Sequence, residues 1–205
     1  DADIDGNYTG LSSLSISGAT DLGASVTTTG AQTYSGAVTV SAASTLSTSN
    51  SDVSFGSTVT LAGDLTVSTG AGAGDISFSG SIDGNQALSL SAGTGAITLS
   101  GALGQGTRLG AVTLNSSSAT TVSQSVRAQS LSTNAGGTLA LNGASVDTTQ
   151  GQTYGEAITL GANTSLTGST IRTQSTLAGG GRSLTITGDA DIDGNYTGLS
   201  SLSIS

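Results

Sequence analysis

Six residue types are missing from this chain of 205 residues: cysteine, proline, methionine, tryptophan, histidine and lysine. Without cysteine there is no disulfide framework. Without cysteine, histidine and lysine, no cysteine dyad, Ser-His triad, Ser-Lys pair or zinc site of the usual ligands can be assembled, so no enzyme is expected. A chain without proline has a backbone N–H at every position after its first, which suits an architecture that draws nearly all of them into hydrogen-bond ladders. Charged residues make up only 8%, the net charge is -9, and all four bases are arginines. A phosphate backbone or an anionic membrane surface would repel such a chain, so neither nucleic acid nor membrane insertion is expected. No apolar run approaches the roughly 18 to 20 residues of a membrane span, and no charged leader precedes an apolar core; any export signal is expected outside these residues. Helix signals are equally scarce, with one glutamate, no lysine, no methionine, and no apolar residues at three- and four-residue spacing.

What fills the chain is serine, threonine, alanine, leucine and 32 glycines, and above all repetition. Residues 1–17, DADIDGNYTGLSSLSIS, return letter for letter as residues 189–205. Residues 1–188 therefore read as one tandem unit and 189–205 as the start of an identical neighbour, in a continuous rod without a domain boundary. The commonest local pattern is a five-residue phrase of apolar, polar, apolar, small and glycine, which begins at Leu14, Val59, Ile76, Ile97, Leu139 and Leu184. Weaker copies without the glycine begin at Val38, Val112 and Ile158, and the phrase starts again at Leu202. Alternation at period two puts both apolar side chains on one side of a strand, and glycine supplies the bend. Taking one phrase per coil, nine steps over 188 residues give about 21 residues per coil. This predicts an all-β parallel β-helix, or β-solenoid, with about nine coils per unit and no helices. The steps range from 15 to 27 residues, so coil boundaries are loosely fixed, and Leu65 and Leu88 are expected to open second strands of their coils.

Shorter echoes lie inside the unit. QTYSGAVTVSAASTL from Gln32 matches QTYGEAITLGANTSL from Gln152 at 7 of 15 positions, and SVRAQSL around Arg127 echoes TIRTQSTL around Arg172. These polar residues are expected to mark structurally equivalent positions.

The phrases TTTGAQTYSGAVTV, SLSAGTGAITLSGALG and SLTITGDADIDGNYTGLSSLSISG resemble the shaft repeats of giant bacterial surface proteins of the filamentous haemagglutinin type. The resemblance implies a right-handed parallel β-helix exported by a partner transporter, and a role in adhesion or biofilm. The expected function is an extracellular fibre, stalk or sheath at the cell surface. Its expected partners are further copies of itself, stacked end to end or bundled laterally, and the isolated chain is expected to associate through its open ends. Adhesion or carbohydrate binding by the shaft itself, and ice binding, are the alternatives.

Several residues stand out as candidate sites. Asp1, Asp3, Asp5 and Asn7, repeated as Asp189, Asp191, Asp193 and Asn195, match the opening of a calcium loop, but the twelfth position is Ser12 where a bidentate Glu is needed. The competing reading is a strand with Ala2 and Ile4 inward and the acids outward, supported by GATDLGAS at 18–25, which keeps Asp21 one coil later. No other cofactor is expected. Asp52, Asp64, Asp75, Asp83, Asp147 and Glu156 read as solubilising surface charge. The glycine runs at 70–74 and 179–181 lack a P-loop lysine and read as bends, despite Arg182 beside the second. Tyr34 and Tyr154 read as packed side chains before they read as a sugar-stacking surface. Thr39, Thr60, Thr98, Thr113, Thr159 and Thr185 occupy the middle of successive phrases, so they are expected to form an outward rank, the feature an ice-binding face needs.

Overall fold

The computed structural model describes all 205 residues and contains strands, bends and turns but no helix. The chain winds as a parallel β-solenoid of three faces per coil. In the first coil the faces are Ala2–Ile4, Tyr8–Leu11 and Leu14–Ile16; in the second they are Thr20–Leu22, Val26–Thr28 and Gln32–Tyr34. Each strand pairs in parallel with the strand one coil on. The first face can be followed from Ala2 through Thr20, Val38, Val59, Ile82, Leu103, Val126, Val146, Leu166 and Ile186 to Ile204. Those ten steps span 202 residues, about 20 per turn, and at about 4.8 Å per step the rod is about 48 Å long.

The pattern of residues explains the winding. In strand after strand, two buried residues flank one that faces outward, as in Val38–Val40, Val59–Leu61 and Val53–Phe55. Two inward apolar side chains per face, three faces per coil, fill a narrow axis. The result is one continuous core of 41 buried apolar residues. The third face places Tyr34, Phe55 and Phe78 one above the other, with ring centroids 5.1 and 4.3 Å apart and planes within 12° and 8° of parallel. Parallel pairing in register imposes this stacking, since like positions sit above like. Where consecutive strands join without a gap, the bend falls on a glycine in Thr164–Thr173 and Ser183–Ile192 and on Gln129 and Ser130 in Val126–Thr133. In Ser183–Ile192 the corner falls at Gly188, whose φ of 128° lies outside the usual range of L residues, and a Cβ there would collide with the carbonyl oxygen of Gly168.

The solenoid and its lack of helices agree with the sequence expectation, and Leu65–Ser68 and Leu88–Ser91 are indeed second strands of their coils. One phrase per coil, however, is corrected. The phrases fall on all three faces: Val38, Val59, Leu184 and Leu202 on the first, Val112 on the second, Leu14, Ile76, Ile97, Leu139 and Ile158 on the third. The uneven steps are then whole numbers of faces. Steps of 15 and 17 residues advance two faces, steps of 18 to 21 advance a full turn, and steps of 24 to 27 advance four faces. Every face makes the same demand, apolar inside and small outside, so the phrase serves any of them.

Candidate functional site

The acidic segment repeats at both ends of the described rod, and its two copies sit on different faces. Ala2–Ile4 pairs with Thr20–Leu22 on the first face, whereas Ala190 and Ile192 pair with Ile171 and Thr173 on the second. In the first copy Ile4 is inward and buried, Ala2 half-buried, and Asp1, Asp3 and Asp5 are exposed, as expected for a strand with its acids outward. Asp21 lies directly beside Asp3. The charge of Asp5, then desolvation and the charge of Asp21, push the Asp3 carboxyl above its ordinary range. Asp1 and Asn7 are already engaged, their Oδ1 atoms accepting the backbone N–H of Ala19 at 3.1 Å and of Ser25 at 3.0 Å. No three acidic side chains in the structure are grouped as a metal site would need. In the second copy Arg172 answers the acids, with Nε 3.2 Å from Asp191 Oδ2 and Nη2 3.3 Å from Asp193 Oδ2.

The echo between Arg127 and Arg172 is structural. Arg127 is the register partner of Asp147 one coil on, as Arg172 is of Asp191, and each arginine contacts that aspartate. Arg108 adds a bracket across three coils: Nη1 donates to Ala128 O at 3.0 Å and Asp147 O at 2.7 Å, and Nη2 lies 2.6 Å from Asp147 Oδ2. It closes over the face where residues 104–108 loop out of the ladder. Asp83 holds the same loop, its Oδ1 accepting from Gly106 N at 2.7 Å and Thr107 N at 3.2 Å.

The isolated acids carry a role the sequence reading missed. Asp52, Asp64 and Asp75 each stand immediately before a strand, at a corner, and each Oδ1 accepts the N–H of the matching corner residue one coil on. The pairs are Asp52 with Asp75 N at 2.8 Å, Asp64 with Ala87 N at 2.8 Å and Asp75 with Ala96 N at 2.7 Å. Asn163 does the same for Ser183 N at 3.1 Å. A side-chain oxygen thus continues the ladder where the bend interrupts it, with the same geometry as Asp1 and Asn7. The signal was present in the sequence: an Asp or Asn directly before the first inward residue of a strand.

Glu156 corrects the surface-charge reading outright. It is 1% exposed, and neither carboxyl oxygen has a hydrogen-bond partner. Burial pushes its carboxyl up to about 7. It occupies the place that Gly36 holds in the first QTY phrase, and that mismatch between otherwise aligned phrases was the available clue.

The tyrosines are interior. Tyr34 and Tyr154 are fully buried, and each hydroxyl donates to the Oε1 of the glutamine two residues before it, at 3.0 and 2.7 Å. Gln32 Nε2 in turn donates to Val26 O, Thr28 Oγ1 and Ser47 O; Gln152 Nε2 donates to Val146 O, Thr148 Oγ1 and Thr167 O. The two phrases build the same buried network, on the third face in one case and the second in the other. No aromatic sugar surface can form from them. The threonine rank is corrected as well. Thr39, Thr60 and Thr185 lie on the first face, Thr113 on the second, and Thr98 and Thr159 on the third.

The glycine runs at 70–74 and 179–181 are bends and turns, as expected. Beside the first, corners of unequal length leave an open cleft of about 250 Å³ lined by Ser91, Asn115, Ser117 and Asn134, with no titratable side chain. A second, of about 360 Å³, lies over Asp1, Asp3 and Asp21. No protein-family model, no curated protein and no solved structure matches the chain.

Proposed function

We propose that this chain is a length of the shaft of an extracellular fibre, stalk or sheath, built by stacking such units end to end, with a mechanical role as spacer or matrix filament. One observation carries the reading. Ile4 is 1% exposed in the first copy and its counterpart Ile192 37% in the second, and Leu202 and Ile204 are 45% and 50% exposed where Leu14 and Ile16 are partly buried against the core. The first copy also indicates what covers them, since residues 18–34 stack on 1–17 and donate the N–H groups that Asp1 and Asn7 accept. Asp189 and Asn195 carry the same acceptors in the second copy. A solenoid of this kind gains stability from neighbouring coils and is weakest at its ends. The resemblance to haemagglutinin-type shafts supports an exported location, and the charge-poor, hydroxyl-rich surface suits a passive spacer.

The test is a series of chains with one to four tandem units. Rods that lengthen by about 45 Å per unit in electron micrographs, with a melting temperature that rises and then levels off, are expected. Separate globules that melt at one temperature whatever the number of units would refute the continuous shaft. Immunogold labelling of intact producing cells tests location, and label found only after permeabilisation would overturn the extracellular assignment.

A further inference from the structure

The geometry points to a shaft that winds out of phase with its own repeat: each unit enters the solenoid one face later than the unit before it, with Arg172 facing the incoming acids at the joint. This rests on the shaft reading above. Ala2 and Ile186 stand on the first face, nine turns apart, while Ala190, the counterpart of Ala2, stands one face further on. A unit of 188 residues therefore makes nine turns and a third. The internal echoes obey the same rule. From Gln32 to Gln152 is five turns and two thirds, and from Arg127 to Arg172 two turns and a third. Repetition in this chain thus proceeds by faces rather than by coils.

The joint between copies is visible within the chain. Thr170, Ile171, Arg172 and Thr173 pair with Asp189, Ala190, Asp191 and Ile192, and the two carboxylates on the incoming strand meet the Arg172 guanidinium. The partner of this surface is the next copy of the chain, and its chemistry is an edge strand with acids outward and apolar residues inward. In the first copy Asp5 and Asp21 crowd Asp3 with like charge. Each added unit is turned by a third of a revolution and advanced by about 45 Å, so the shaft returns to its first orientation after three units, twenty-eight turns or about 135 Å. Every surface feature, such as the cleft at Asn115 and Asn134, then faces three directions in succession. A ligand or second shaft lying along one side meets identical ground only at every third unit, while neighbours approaching from three sides meet it equally.

Because the chain has no cysteine, introduced pairs report the register cleanly. In the full chain, T170C/D189C, which keeps Arg172, and R172C/D191C are expected to oxidise to an intramolecular disulfide, losing both thiols to alkylation. T167C/D191C, the pair that nine whole turns would bring together, is expected to keep both thiols. The reverse result would overturn the inference. In a four-unit array with one gold-labelled cysteine per unit at Thr45, labels are expected on three sides of the rod in turn. Labels in one straight line would refute the phase shift, whereas separate globules would refute the shaft reading instead.

Discussion

Glu156 gives the structure its most direct thermodynamic test. Its carboxyl is sealed from solvent with no donor for either oxygen, and burial pushes it from the ordinary 4.5 up to about 7. The charged form is the one penalised, so the folded state binds the proton more tightly than the unfolded chain. Stability from this group is fully present below about pH 4.5, falls as pH rises between 4.5 and 7, and stays low above that. At 1.36 kcal/mol per pH unit the full loss is about 3 kcal/mol, of which about 2 kcal/mol falls between pH 5.5 and 8.5. Urea midpoints measured across that range should decline for the native chain, while Glu156→Gln, which removes the ionisation at nearly the same volume, should flatten the profile. It should also be the more stable protein at pH 8.5 and the less favoured, or equal, at pH 5.5. Parallel pH profiles for the two proteins would show that the carboxyl is not held in a dry environment, and the argument from burial would fail.

Two further substitutions probe the polar scaffold. Gln32→Leu strands the buried Tyr34 hydroxyl and removes the donor to Val26 O and Ser47 O, with an expected cost of about 3 kcal/mol. Adding Tyr34→Phe to it should restore roughly 1 kcal/mol, and a double variant no more stable than Gln32→Leu would count against the network. Asp75→Ala should cost about 1 kcal/mol by leaving the Ala96 N–H without its acceptor, while Asp75→Asn, which keeps an oxygen there, should stay near the native midpoint. Equal losses in both would mean that the charge, not the corner hydrogen bond, is what matters.

Much of the fold was legible because its cause is local. Alternation of apolar and small residues, punctuated by glycine, names strands and bends, and the exact return of residues 1–17 names the array. The phase was not legible, since Val38 on the first face, Val112 on the second and Ile97 on the third sit in phrases that make the same demand. No residue declares which face it belongs to; that is settled by summing every bend before it. The threonine rank failed for that reason. Tyr34 and Tyr154 read as packed because aromatics make up only 3% of the chain, and both are buried. Glu156 was missed because charge in a soluble chain ordinarily lies outside, and only comparison with Gly36 in the sister phrase marks it as a corner residue turned inward.

The equivalence of the three faces also bears on how the encoding DNA can change. Unequal crossing-over between near-identical stretches need not remove or add whole coils, because a module of one strand and one bend, about seven residues, is already a self-consistent insertion. Such an event rotates everything downstream by one face and leaves the apolar axis unbroken. Length polymorphism in small increments, without loss of folding, is the genetic signature this geometry permits.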